Sequence, residues 1–254
     1  MISTGGPSSD AARNLALLAK SPVTWAWVSL ILGIEALVMA VGGHNRQPAW
    51  SWFEALGLTR EGIFSGRIWT IITYGFLHGS WWHVGVNVTL LLLVGSRIEH
   101  MAGRAVLVKA IIFGVLGGAV GHLVLAPGGD GAPLLIGFSG ACIGLLLLLT
   151  TLSPQSRMMP LPISGKSLGL GILMAELILA LADPALGVPG FSELGRWITR
   201  RGWSGWFQMG HACHFGGGMA GWLFGRWLLR PRITLDRLRR DRERREAKES
   251  SRTK

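Results

Sequence analysis

Charged residues are scarce in this sequence. They make up 15% of its 254 residues, against about 25% in an average soluble domain. The positive excess is also uneven, because residues 226–254 hold 12 of the 25 basic and 5 of the 14 acidic side chains. The remaining residues carry 13 basic and 9 acidic groups, spread over an apolar chain rather than gathered in a stripe. This distribution does not indicate a nucleic-acid-binding protein.

Cysteine is nearly absent as well. Two cysteines exclude a disulfide framework and any four-cysteine zinc site. The sequence also lacks a His-Glu-x-x-His stretch and an evident internal repeat, so a metalloprotease helix and an inverted-repeat transporter gain no support. We therefore expect no metal and no cofactor. The length is that of one compact domain with a tail.

Long apolar windows dominate the rest of the chain. A membrane-spanning helix needs about 20 mainly apolar residues, and the sequence has six such windows separated by polar or Gly/Pro-rich breaks. They lie near residues 22–42, 81–98, 105–125, 134–152, 167–186 and 204–229. So many windows in a short chain argue against buried helices of a soluble protein. They predict an all-α, multi-pass membrane protein.

The windows divide the chain into a polar N-terminal arm (1–21), a membrane domain (22–229) and an Arg-rich tail (230–254). Six spans place both termini on one side. With the termini inside, 19 Lys and Arg lie in inner segments and 6 in outer ones, which predicts cytoplasmic termini in a plasma membrane. Without the tail the count is only 7 to 6. The tail itself is expected to be a solvated helix or a disordered segment that contacts anionic lipid headgroups.

Polar residues interrupt three of the predicted spans. Such residues are costly in hydrocarbon and tend to face a cavity or a partner. His83 and Asn87 in the second span are four residues apart and therefore share one helix face. The three interruptions are His78-x4-His83-x3-Asn87, Gly137-Phe138-Ser139-Gly140, and His211-Ala-Cys-His214-Phe-Gly-Gly217 followed by Gly221.

Ser139 and His214 are a candidate nucleophile and base. A serine hydroxyl is a weak nucleophile until a base takes its proton, and an imidazole titrates near neutral pH. Spans four and six can touch if small residues let their backbones approach. Both have such faces, formed by Gly140 and Gly144 on one and by Gly217, Gly221 and Gly225 on the other.

Acyl transfer also needs hydrogen-bond donors for the developing oxyanion. His83 and Asn87 are the obvious side-chain donors, and the backbone N–H of Ser139, near a helix start, is a third. These residue types predict serine-type hydrolysis inside a membrane.

Together these residues resemble the rhomboid intramembrane serine proteases. The resemblance covers residues 67–225 and includes a fourth motif at the end of the second span. The matching motifs are His78-x4-His83-x3-Asn87, Gly137-x-Ser139-Gly140, His214-x2-Gly217-x3-Gly221 and Gly95-Ser-Arg-Ile-Glu99-x3-Gly103.

The resemblance implies a six-transmembrane-helix bundle with a Ser–His dyad and no third, acidic member. It implies that Ser139 is the nucleophile, His214 the general base, and His83, Asn87 and the Ser139 amide the oxyanion donors. It implies structural roles for His78 and Glu99. The nucleophile would lie in a water-filled cavity below the membrane surface.

Two positions depart from the family pattern. Many members carry Trp-Arg ahead of the first His, whereas this chain has Trp69-Thr70, with Arg67 before the tryptophan. An aromatic residue that often stacks on the catalytic imidazole is replaced by Ile143. Neither departure removes a reacting group.

The expected activity is endoproteolysis of transmembrane protein substrates, within or next to a transmembrane helix. Two alternatives remain: a catalytically inactive scaffold that binds client helices, and a transporter that uses Glu35 and Glu176 in spans one and five. A metal could also be held by His211 and His214 with His78 and His83, although His211 is better interpreted as lining a cavity. Cys142 and Cys213 are interpreted as small packing residues.

Overall fold

The computed structural model describes residues 16–44, 49–129, 133–157, 162–231 and 235–252. Within these ranges the regular structure is helical, which confirms the all-α prediction, and β pairing is limited to two isolated bridges. The helices are α1 (Pro22–Ala40), α2 (Ala49–Leu56), α3 (Arg60–Phe64), α4 (Thr70–Thr73), α5 (Trp81–Ala102), α6 (Arg104–Leu125), α7 (Ser139–Leu152), α8 (Gly165–Leu181), α9 (Phe191–Arg200), α10 (His211–Leu228) and α11 (Leu235–Arg252).

Each of the six predicted windows contains a helix. Among the described residues, α1 and α6 are long and apolar enough to cross a bilayer by themselves. A third candidate span is the pair Thr70–Phe76 and Trp81–Ala102, if its two parts, bent by 97°, are counted as one. The structure therefore supports a bundle of apolar helices, and the count of six spans stays a prediction.

The fourth helix begins later than predicted, at Ser139 rather than near residue 134. The backbone of Leu135 pairs in both directions with Leu58, and Gly137 has a φ of +120°, so neither residue is helical. The remaining 14 residues of α7 make a helix of about 21 Å, shorter than the roughly 30 Å hydrocarbon core of a bilayer. A start this late agrees with the expectation that Ser139 lies below the membrane surface, and that depth stays a prediction.

The sixth helix is also shorter than its window. Residues Ser204–Gln208 form a 3-10 turn, and α10 starts only at His211 after Gly210. His214 consequently lies in the first turn of α10. The two helix starts place Ser139 and His214 at the same end of the bundle.

Glu99 joins the start of α1 to the end of α5. Its Oε2 accepts hydrogen bonds from the backbone N–H and the hydroxyl of Thr24, both at 2.9 Å, and its Oε1 accepts from the N–H of Val23 at 3.2 Å. A carboxylate is favourable there because the first turn of a helix has unpaired N–H groups and partial positive charge. Arg104 lies 3.5 Å away and balances its charge.

Glycine faces bring α7 and α10 into backbone contact, as the sequence predicted. A Cβ atom on Gly217 would overlap the carbonyl oxygen of Gly140, and one on Gly221 would overlap that of Gly144. Helix α6 joins them, because a Cβ on Gly114 would lie 2.7 Å from Cα of Ala141 in α7. Only glycine permits such approach, so these positions fix how close the two motif-bearing helices lie.

We expect Gly221→Ala to lower the thermal unfolding temperature of the purified protein in detergent. The added methyl group would collide with the Gly144 carbonyl, and overpacking of this kind costs about 1–3 kcal/mol. Gly171→Ala is the matched control, because Gly171 is in α8 with nothing within 4 Å of the added carbon; its effect should stay below about 1 kcal/mol. Equal unfolding temperatures for the two variants would contradict the close contact.

Candidate active site

Ser139 and His214 meet across the contact between α7 and α10. The Oγ of Ser139 lies 2.8 Å from Nε2 of His214, a hydrogen-bond distance, although the residues are 75 apart in sequence. Both side chains are partly buried. An imidazole at this distance is placed to accept the serine proton.

A cavity of about 690 Å³ lies in front of this pair. Ser139 and His214 line it together with His83 and Asn87 from α5, Glu176 from α8 and His211 from α10. The four residues predicted as nucleophile, base and oxyanion donors therefore share one cavity. Polar groups that would be costly in hydrocarbon here face a common space.

His83 packs against the turn that precedes Ser139. A Cβ atom on Gly137 would overlap the His83 imidazole, and the φ of +120° at Gly137 belongs to a region that side chains other than glycine rarely adopt. Glycine at this position thus permits both the turn and the contact with the ring. The contact places the imidazole of His83 beside the residues that lead into Ser139.

Asn87 lies one helical turn after His83 and is 1% exposed. Its side-chain Nδ2 has no hydrogen-bond partner among the described residues. Burial of an unpaired donor costs free energy, which is commonly tolerated where a ligand supplies the acceptor. The unpaired donor belongs to a residue that lines the cavity.

His78 supports the same turn from behind. It is fully buried, its Nε2 accepts a hydrogen bond from the N–H of Phe138 at 3.4 Å, and its ring meets that of His83 edge-on at 5.0 Å. It therefore contacts both the residue before Ser139 and the neighbouring imidazole. This geometry suits a structural role.

The structure adds a carboxylate that the family resemblance does not imply. Oε2 of Glu176 lies 3.2 Å from Nδ1 of His214 and 2.6 Å from Nδ1 of His211. The other ring nitrogen of His211 donates to the carbonyl oxygen of Trp206 at 2.8 Å. The resemblance implies a dyad without a third, acidic member, whereas in this geometry a carboxylate oxygen lies within hydrogen-bond distance of the candidate base.

One signal for this arrangement was present in the sequence. His211 and His214 are three apart at the start of one helix and thus face the same way. Glu176 lies in the middle of its apolar window, whose other acidic residue, Asp183, is near the end. A polar pair and a lone carboxylate in two adjacent spans are expected to satisfy each other, because neither is stable alone in an apolar environment.

Glu176, His211 and His214 are also the residues that could hold a metal ion, because their donor atoms lie within 4.8 Å of one another. Ligand atoms arranged tetrahedrally about 2.1 Å from a zinc ion are more than about 3 Å from one another. Oε2 of Glu176 and Nδ1 of His211 are only 2.6 Å apart. Hydrogen bonding therefore describes this cluster better than metal ligation. The alternative four-histidine set is divided, with His78 against His83 and His211 against His214.

Both departures from the family pattern have a structural counterpart. Arg67 donates to the carbonyl oxygen of Glu54 at 2.7 Å and Trp69 to that of Ala55 at 2.9 Å, so both attach to the C-terminal half of α2. At the second departure, the side chain of Ile143 lines the cavity. The aromatic neighbour of the His214 imidazole is instead His211, whose ring lies edge-on to it with 6.0 Å between the ring centroids.

The two cysteines are free and fully enclosed. Sγ of Cys213 lies 3.7 Å from the hydroxyl of Tyr74, and Sγ of Cys142 lies 3.4 Å from the carbonyl oxygen of Asn87. Their burial among helix contacts agrees with the interpretation as packing residues.

Comparison with known proteins decides the family. The family pattern described as the Rhomboid domain matches residues 65–231, about two thirds of the chain and all of the helices that form the cavity. This chain belongs to the rhomboid family. The match agrees with the motif resemblance over nearly the same residues.

Similar rhomboids occur in plants and yeast. The chain is 29% identical over 155 residues to RHOMBOID-like protein 12, mitochondrial, of Arabidopsis thaliana, covering 54% of this chain and 46% of that protein. It is 40% identical over 105 residues to Rhomboid-like protein 16, chloroplastic, of the same plant, covering 37% and 32%. It is 24% identical over 218 residues to Rhomboid protein 1, mitochondrial, of Saccharomyces cerevisiae, covering 84% and 56%.

The chain thus spans about half or less of the length of the first two relatives. The rhomboid domain and the apolar helices make it a membrane protein. The relatives are named as mitochondrial or chloroplastic, so they give no support to the expected plasma-membrane location.

We expect Gly137→Ala to destabilise this rhomboid more than Gly66→Ala. Both glycines have positive φ, but the space beside Gly66 is open, whereas a methyl group on Gly137 would collide with the His83 ring. The collision should add about 1–3 kcal/mol to the backbone strain of order 1–3 kcal/mol at each site. Thermal unfolding in detergent measures the difference, and an equal loss in both variants would show that the ring does not occupy this space.

Proposed function

We propose that this rhomboid is an intramembrane serine endopeptidase that hydrolyses a peptide bond within or next to a transmembrane helix of membrane-protein substrates. The observation that carries the proposal is the 2.8 Å contact between Ser139 Oγ and His214 Nε2 inside a polar-lined cavity. A nucleophile in contact with a base at the edge of a substrate-sized space is the arrangement that acyl transfer requires.

The reaction proceeds by two acyl transfers. His214 Nε2 takes the Ser139 hydroxyl proton as Oγ attacks the scissile carbonyl carbon, and the carbonyl π electrons move onto oxygen. The tetrahedral adduct collapses when the imidazolium gives its proton to the leaving amine, which leaves an ester on Ser139. Water then attacks this ester by the same route and restores the free serine. The cavity provides room for that water.

Three groups are proposed to stabilise the oxyanion. The backbone N–H of Ser139 belongs to the first turn of α7, where N–H groups have no helical partner. The unpaired Nδ2 of Asn87 and the imidazole of His83 line the same cavity. Donors held in place before the reaction are effective because they need no reorganisation as charge develops.

The proposed substrates follow from depth and access. A nucleophile at the start of a short helix acts on a backbone that has entered the membrane, where a peptide bond in an intact helix is shielded by its own hydrogen bonds. The family resemblance further implies a locally unwound scissile segment with a small residue before the cut.

We also retain the proposed membrane domain (22–229) with both termini on one side. Helix α11, which follows it, is exposed over residues 238–246 and rich in arginine. Such a helix favours the side of the membrane that retains positive charge and can contact anionic lipid headgroups.

The alternatives account for less of the geometry. An inactive scaffold has no need of a serine hydrogen-bonded to an imidazole. In a transporter, Glu35 and Glu176 would bind the transported ions. However, Oε1 of Glu35 lies 2.6 Å from Nε2 of His44, and Oε2 of Glu176 lies 2.6 Å from Nδ1 of His211. Each carboxylate thus has a local partner that accounts for its presence.

We expect Ser139→Ala and His214→Ala each to abolish cleavage of a transmembrane reporter substrate in proteoliposomes. Each variant removes one member of a unit, so the double variant should be no worse than either single variant. Labelling by a fluorophosphonate probe should be lost in Ser139→Ala. The controls are Ser65→Ala and His100→Ala, whose exposed side chains only bond nearby carbonyl oxygens.

Substantial cleavage by Ser139→Ala would contradict the proposed nucleophile. Cleavage by His214→Ala at the rate of the controls would contradict the proposed base.

We expect Asn87→Ala and His83→Ala to lower turnover by about 10²–10³ while slow probe labelling survives. Each substitution removes one oxyanion donor and leaves Ser139 and His214 in place. The Asn87 variant should change kcat more than KM, because the hydrogen bond strengthens only as charge develops on the carbonyl oxygen. Thr89→Ala is the control, since Thr89 is exposed on the same helix and is not part of the cavity wall. Full turnover in both variants would assign the oxyanion to other donors.

A further inference from the structure

Three polar side chains from two helices meet behind the proposed nucleophile. Glu176 comes from α8, and His211 and His214 come from α10. One carboxylate oxygen, Oε2, faces both imidazoles through their Nδ1 atoms. The rhomboid motifs in this sequence do not include Glu176, and the proposed reaction does not yet use it.

The positions of the hydrogens in this cluster follow from its acceptors. The carbonyl oxygen of Trp206 can only accept, so Nε2 of His211 carries a hydrogen. The 2.6 Å contact between His211 Nδ1 and Glu176 then needs one further proton between its two atoms. Hydrogen bonds at both ring nitrogens thereby hold the His211 side chain in place, and the bond at Nδ1 also holds the Glu176 carboxylate.

The same reasoning sets the tautomer of His214. To take the Ser139 proton, Nε2 must present a lone pair, so the ring hydrogen must be on Nδ1. Nδ1 lies 3.2 Å from Oε2 of Glu176, which accepts that hydrogen. In the opposite tautomer, two lone pairs would face each other across this distance. The carboxylate therefore favours the form of His214 that can act as a base.

We propose that Glu176, anchored by His211, is a positioning residue that holds His214 in its Nδ1–H tautomer, so that the reacting unit is a Glu–His–Ser relay rather than a dyad. The inference rests on the proposed function and deepens it. During attack one proton moves from Ser139 Oγ to His214 Nε2, and the Nδ1 hydrogen stays in place. Glu176 accepts a hydrogen bond throughout and is not protonated by the reaction.

The chain offers a matched control for this residue. Glu35 is a second carboxylate within an apolar helix, and it also lies 2.6 Å from an imidazole, that of His44. Neither Glu35 nor His44 lines the cavity. Glu35→Gln and Glu176→Gln thus make the same chemical change at a carboxylate–imidazole contact. The first change is away from the cavity, and the second is next to the proposed base of Ser139.

The kinetic test measures kcat and KM for a transmembrane reporter substrate in proteoliposomes containing EDTA, which keeps stray metal off the cluster. Glu176→Gln should lower kcat at least about a hundredfold, as expected when the orienting carboxylate of such a unit becomes an amide. KM should stay within about threefold. Glu176→Asp, which keeps the charge, should recover part of the loss, and Glu35→Gln should stay within about threefold of wild type.

His211 provides a second test because its proposed effect on catalysis is exerted through Glu176. His211→Asn should lower kcat in the wild-type background but change the Glu176→Gln variant by less than about threefold, since the group it anchors is already lost. Independent losses that multiply in the double variant would overturn the anchoring role. A merely structural histidine would give such multiplication.

The tautomer can also be measured in the unmodified chain, which needs no variant of Glu176 to fold. Nitrogen-15 NMR of histidine-labelled protein, with His214 assigned by its absence in His214→Ala, distinguishes the two tautomers. Hydrogen on Nδ1 of His214 supports the relay. Hydrogen on Nε2 overturns it.

The outcomes separate the relay from the protease. Cleavage by Ser139→Ala equal to wild type would refute the proposed function itself. Cleavage by wild type, none by Ser139→Ala, and at least about a third of wild-type kcat in Glu176→Gln would leave the protease standing and refute the relay.

Discussion

The contact between α7 and α10 is the constraint on which the rest of the site depends. Their backbones approach so closely that a methyl group at Gly217 or Gly221 would overlap a carbonyl oxygen of the other helix. Ser139 and His214 lie next to this contact, and their 2.8 Å hydrogen bond would lengthen with any increase in helix separation. In an apolar environment no hydrophobic force brings helices together, so this approach rests on backbone packing of small residues. The glycines are thus as much a part of the site as its polar groups.

A second set of contacts fixes the turn into α7 independently of this helix pair. His78 accepts a hydrogen bond from the N–H of Phe138, His83 fills the space beside Gly137, and Leu135 pairs with Leu58, which lies between α2 and α3. This turn decides where α7 starts and therefore where Ser139 lies relative to His78 and His83. Both the segment between α2 and α3 and helix α5 hold this turn, and Sγ of Cys142 in α7 lies 3.4 Å from the carbonyl oxygen of Asn87 in α5. These contacts keep the spacing between the proposed oxyanion donors and the nucleophile.

Sequence patterns predicted the parts of the site that are local or periodic. His83 and Asn87 are one turn apart, the glycines of α7 and α10 repeat every fourth residue, and each pattern defines one face of a helix. The start of α7 was misplaced by about five residues, because the apolar Leu134 and Leu135 fit a helix as well as they fit the observed extended turn. Glu176 could not be assigned to the site in this way. A single carboxylate has no period, and its partners lie on a helix whose orientation is set by tertiary packing.

Pairing of a carboxylate with an imidazole is by itself no sign of catalysis in this molecule. Glu35 and His44 form the same 2.6 Å contact as Glu176 and His211, and in both cases the pair holds a proton that reduces the cost of burying charge. What distinguishes Glu176 is its second acceptor bond, to an imidazole whose far nitrogen contacts Ser139. The hydrogen bond with His211 lowers the free-energy cost of placing the Glu176 carboxylate in an apolar helix. The same oxygen, Oε2, can then accept a hydrogen bond from His214 and orient its ring. Without the hydrogen bond with His211, an ionised Glu176 would be costly to bury in α8. A protonated Glu176 would favour the Nδ1–H tautomer of His214 less strongly. His211 therefore allows a carboxylate in an apolar helix to take part in the proposed Glu–His–Ser relay.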